Sequence, residues 1–80
     1  MNVYFVKVAD ATFYLTRTDS GKAAIQLISD KLNLTFYLKD KSWYEMVKGL
    51  RCPTVINRKL KEIHRRLKGI KNEQSYTSPN

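Results

Sequence analysis

The chain has 80 residues, 15 of them Lys or Arg and 7 Asp or Glu, so its formal net charge is +8 and any account of its function must explain that excess. A chain this short buries only roughly two thirds of its unfolded surface, which leaves room for one domain and not two. Its single cysteine, Cys52, excludes an intramolecular disulfide framework and a Cys-rich zinc site, and a hydrophobic fraction of 42% argues against disorder throughout.

Val3 to Val8 and Thr12 to Thr16 are runs of Val, Phe, Tyr and Thr separated by Ala9-Asp10-Ala11, a pattern that predicts a β-hairpin. Both faces of the first run are apolar, which suits a central or doubly covered strand. Thr18-Asp19-Ser20-Gly21 offers N-cap residues ahead of Ala23, Ala24, Leu27, Ile28 and Leu32, whose spacing predicts a helix over Gly21 to Leu32. Leu34 to Leu38 alternates strictly and predicts a third strand. Ser42-Trp43-Tyr44-Glu45 has capping-box spacing, which predicts a short helix ending at Gly49, with Pro53 as a second stop signal. From Thr54 onward, Ile56, Leu60, Ile63, Leu67 and Ile70 recur at helical intervals and predict a last helix.

The expected order is therefore ββαβαα: an α+β fold with a small antiparallel sheet, helices packed on one face and a basic C-terminal helix. Residues 1–71 are expected as one compact domain and 72–80 as a flexible tail. Phe13, Leu15, Leu27, Ile28, Leu34, Phe36, Ile56, Leu60, Ile63 and Leu67 form the expected core. No segment approaches membrane length and no charged region precedes an apolar leader, so a soluble, cytoplasmic protein is expected.

The charge is unevenly placed. Residues 1–38 carry +1, residues 39–71 carry +8 and the last nine carry −1. On the last helix Arg58, Lys61, Arg65 and Lys68 run as a stripe opposite the Ile/Leu seam, flanked by Lys59, Arg66 and Lys71. Only Glu62 offsets these seven cations. A face built for solubility would interleave carboxylates, since like charges at i,i+4 are mildly destabilising, so the stripe predicts an anionic partner. Nucleic acid fits, because each neutralised phosphate releases a counterion, and RNA is expected ahead of DNA. Lys48 and Arg51, in the preceding connector, are expected to join this grip. Alternation also puts Tyr14 and Tyr37 on the sheet face away from Phe13 and Phe36, where they could stack unpaired bases.

The connector from Gly49 to Thr54 is too rich in breakers for a helix-turn-helix. The seam lacks the Trp or Phe of a membrane-surface helix, so no membrane partner is expected. Two heptads leave the oligomeric state open, with a dimer contact allowed.

Enzymatic readings are weaker. Thr18 to Lys22 lacks the first glycine of a phosphate loop and the Ser or Thr after its Lys. His64, on the border of the apolar seam, has no spaced catalytic partner, and Cys52 beside Arg51 has no partner base. No cofactor, no metal and no catalysis are expected; a small ribonuclease using His64 is the residual enzymatic alternative. The alternative of a different class is a protein-binding inhibitor or antitoxin of the phage or mobile-element type. Its basic helix would fill an acidic or RNA-binding groove on a target enzyme such as a ribonuclease toxin, alone or together with RNA.

Overall fold

The computed structural model describes residues 4–73, with side chains as far as Gly69. Five strands precede one helix: β1 (Phe5–Val8), β2 (Ala11–Arg17), β3 (Ala23–Ile28), β4 (Asn33–Lys39), β5 (Ser42–Glu45) and α1 (Thr54–Glu73). Each strand pairs antiparallel with the next, so the sheet is a meander in the order β1-β2-β3-β4-β5. The chain is α+β with an antiparallel sheet, as expected, but its order is βββββα and not ββαβαα.

Two expected helices are strands, each for a physical reason. In the segment 21–32, Ala23, Ile25 and Leu27 point to the helix side of the sheet, while Ala24, Gln26 and Ile28 point to the other. Ala24 and Ile28 are apolar although they lie on the face away from α1, so the period-2 signal is lost. Thr18, Ser20 and Gly21 close the β2–β3 connection instead of capping a helix. The Thr18 amide donates to the Lys22 carbonyl (2.9 Å), and the Lys22 amide donates to Thr18 Oγ1 (2.9 Å). Gly21 sits at φ 89°, where a Cβ would be strained. The same residue types serve turns and helix caps, because in both their side chains bond nearby backbone amides.

The second case is Ser42 to Glu45, which forms β5 against β4 through a two-residue connection, Asp40-Lys41. Both residues have positive φ (52° and 67°), the backbone of a type I′ hairpin turn. Glu45 does not reach back to Ser42. Its carboxylate accepts from the amides of Val47 (3.1 Å) and Lys48 (2.6 Å) and shapes the loop that follows. That loop returns to β5, where the Cys52 amide donates to the Trp43 carbonyl (2.9 Å).

β1 is an edge strand, not a central one. The last helix forms over Thr54–Glu73 and docks Leu60, Ile63 and Leu67 onto the sheet. They join Val6, Phe13, Ile25, Phe36, Trp43 and Cys52 in one core, with Leu15, Leu27, Leu34 and Leu38 packed around it. Of the expected core, Ile28 and Ile56 are exposed instead. Ile28 faces the open side of the sheet, and Ile56 lies in the first turn of α1. Asn57, buried on the inner face of α1, accepts from the Trp43 amide through Oδ1 (2.9 Å), which ties the start of the helix to β5. Of the tail expected at 72–80, α1 takes in Asn72 and Glu73, and residues 74–80 lie outside the described residues.

Candidate nucleic-acid interface

α1 covers one face of the sheet, and the expected interface residues divide among three surfaces. The first is the outer face of α1. With Leu60, Ile63 and Leu67 docked, Arg58, Lys59, Lys61, Arg65, Arg66 and Lys68 are all exposed. From Arg58 to Lys68 the stripe runs about 15 Å at the helical rise of 1.5 Å per residue. Glu62 is the only carboxylate between them. The Lys71 side chain lies outside the described residues.

The second surface is the sheet face opposite α1, which carries Tyr14 and Tyr37. Register sets two cross-strand rows on it: Phe5, Tyr14, Gln26 and Thr35, and beside them Thr16, Ala24, Tyr37 and Tyr44. Phe5 lies 5.6 Å from Tyr14 between ring centroids, and Tyr37 stacks on Tyr44 at 5.5 Å with an interplanar angle of 18°. Lys39 Nζ sits 5.9 Å from the Tyr44 centroid, within cation–π range. Ala24 between the tyrosine strands is fully buried although no helix covers this face, so larger neighbours close over its methyl. No strand residue pointing to this side is acidic, and Lys7 and Lys39 are basic. Sequence patterning does not single out Phe5, because both faces of β1 are apolar. The capping-box spacing of Ser42 and Glu45 puts Tyr44 in a helix, whereas in β5 it falls opposite Tyr37 and beside Lys39.

The third surface holds Lys48 and Arg51. They do not extend the helical stripe. With Lys59 they border an apolar cavity between the sheet and the first turns of α1. The first and third surfaces meet only at Lys59, and the tyrosines and the α1 stripe lie on opposite sides of the sheet, so a strand touching both would have to round a sheet edge.

His64 sits on the inner border of α1 with its ring edge-on to Trp43, centroids 5.3 Å apart. Burial pushes its imidazole below the ordinary 6.5, and the Lys68 charge one turn on adds to this. The folded state therefore favours neutral His64. Above about 6.5 the ring is neutral folded and unfolded alike; as pH falls below that value the unfolded chain takes up the proton first, so stability drops. The melting temperature should accordingly fall between pH 7.5 and 5, and His64→Gln should flatten that fall. A wild-type and variant pair with parallel pH profiles would assign the acid sensitivity elsewhere.

Cys52 is buried, and burial, followed by the Glu45 carboxylate, pushes its thiol up, so it stays protonated and poorly nucleophilic. Among the described residues, no group of three or more His, Cys, Asp or Glu could hold a metal ion, and no helix is long and apolar enough to cross a membrane. No family model, curated protein or solved structure matches the chain. Its own surfaces therefore carry the functional reading.

Proposed function

We propose that the chain is a small, non-enzymatic nucleic-acid-binding protein, taking RNA ahead of DNA, that holds phosphates on the outer face of α1. The observation that supports this most is the outward display of Arg58, Lys61, Arg65 and Lys68 on a helix that docks Leu60, Ile63 and Leu67 into the core. Packing needs none of these charges. Arranged in one line, they repel each other at i,i+3 and i,i+4, and an anionic polymer relieves that repulsion. Arg58 and Arg65 add planar forks able to bind phosphate through two hydrogen bonds. Such contacts position a partner without reading its bases.

The preference for RNA draws on the opposite sheet face. Unpaired bases expose π-faces, and Tyr14, Tyr37 and Tyr44 offer rings beside Lys39 with no carboxylate on the strands of that face. Titrating labelled single-stranded RNA and DNA of equal length, followed by anisotropy, tests the proposal. Saturable binding that weakens linearly in log salt is expected; an absence of binding to both at low salt removes it. Tyr37→Ala and Tyr14→Ala should each weaken single-strand binding by about 1–3 kcal/mol and leave duplex binding nearly unchanged. Equal small losses on the two substrates would assign the tyrosines to packing alone.

A further inference from the structure

The cavity beside the first turns of α1 has a construction unlike either nucleic-acid surface. Its volume is about 520 Å³. Phe13, Leu27, Leu34, Phe36 and Leu60 form its apolar floor. The side chains at its mouth, Leu32 (49% exposed), Leu50 (63%) and Ile56 (42%), are large, apolar and open to solvent. Lys48, Arg51 and Lys59 surround them. The one carboxylate, Glu45, is already engaged by the amides of Val47 and Lys48. The thiol of Cys52 contributes an uncharged wall.

We propose that this cavity is a docking site for an acidic protein segment that inserts bulky apolar side chains between Lys48, Arg51 and Lys59. Two features select that occupant. An apolar mouth standing outside the cavity needs more cover than a molecule enclosed within it supplies, and a contiguous apolar patch rimmed by polar residues is the form that protein-interaction sites take. The rim is cationic, so complementarity calls for Asp or Glu beside the inserted side chains. A second copy of this chain would bring the same three cations face to face at a net charge of +8 per chain, which opposes self-association through this patch. The surface shares only Lys59, a flank of the stripe, with the nucleic-acid reading. Its apolar anchors Leu50 and Ile56 belong to neither the stripe nor the tyrosine face, so the inference stands or falls apart from that reading.

The test pans a displayed library of random peptides against the full chain, with Ile56→Glu and Leu50→Glu as counter-selection. Both substitutions lie at exposed positions, and circular dichroism checks that the variants fold. Enrichment of peptides that combine Asp or Glu with Phe, Leu or Trp is expected. Synthetic versions should bind the wild type at least about tenfold more tightly than either variant, and RNA binding should be equal in all three proteins. Overturning results are a failure to enrich, enrichment of acidic peptides without apolar anchors, or equal binding to wild type and variants. Light scattering that shows a wild-type dimer made monomeric by Ile56→Glu would assign the patch to self-association. If dodecanoate perturbs the amide resonances of the cavity residues and no peptide is enriched, the site takes a small amphiphile and the proposal fails.

Discussion

Trp43→Ala is expected to destabilise the protein by about 3–5 kcal/mol, the usual cost of emptying a large buried aromatic site. The ring is fully buried, and it joins elements that have few other ties. β5 is an edge strand, paired only with β4 apart from a single bridge between Tyr44 and Arg51. Trp43 fixes it to α1 through the edge contact with His64, while its amide donates to Asn57 and its carbonyl accepts from Cys52. Deleting the indole leaves a void between strand and helix that the flanking backbone hydrogen bonds keep from collapsing. A chain of this length has a total stability of about 4–12 kcal/mol, so the loss is a large share of it. Urea denaturation should show a strongly lowered midpoint for Trp43→Ala and a nearly unchanged one for Val47→Ala, whose side chain is exposed. Equal midpoints for Trp43→Ala and wild type would contradict the packing of β5 on α1.

The elements that sequence reasoning places correctly are those with one buried face. α1 is legible because Leu60, Ile63 and Leu67 recur on one side of a long helix with cations on the other. β2 and β4 are legible because Phe13 and Phe36 alternate with Tyr14 and Tyr37 about a sheet with one covered face. β3 is obscured by apolar residues on its open face: Ala24, shielded by larger neighbours, and the exposed Ile28 stand where alternation calls for polar residues, and only Gln26 keeps the pattern. β5 is obscured by coincidence, since Ser42 and Glu45 have capping-box spacing while Glu45 in fact binds the amides of the following loop. The signal that would have favoured a strand is the β-propensity of Trp43 and Tyr44 just after the short polar break Asp40-Lys41.

The candidate surfaces divide in the same way. A helical stripe such as Arg58, Lys61, Arg65 and Lys68 can be read locally, because its spacing alone sets its direction. Lys48 and Arg51 belong to a loop whose direction depends on β5, so their place beside an apolar cavity is invisible without the topology. Ile56 shows the same limit: period assigns it to the apolar seam, but the seam at that turn overhangs the cavity and leaves the side chain open to solvent.

The second large effect concerns the stripe. Replacing Arg58, Lys61, Arg65 and Lys68 together by Ala should leave the fold intact, because all four are exposed, and should relieve some like-charge repulsion. If each holds one phosphate of a single strand, the slope of log K against log salt should flatten by about 2.8 units, at roughly 0.7 per contact. At about 0.1 M salt that corresponds to a loss of affinity on the order of 10²-fold or more, similar across sequences because phosphate contacts read no bases. Duplex binding through the same face should weaken in parallel, which separates this effect from the single-strand losses expected at Tyr14 and Tyr37.

The most direct measurement is therefore a salt titration of RNA binding by the wild type and this fourfold variant, with circular dichroism on both. The expected result is an unchanged spectrum, markedly weaker binding and a flatter salt slope in the variant. Equal affinity at every salt concentration, with both proteins folded, would show that the outer face of α1 does not carry the partner.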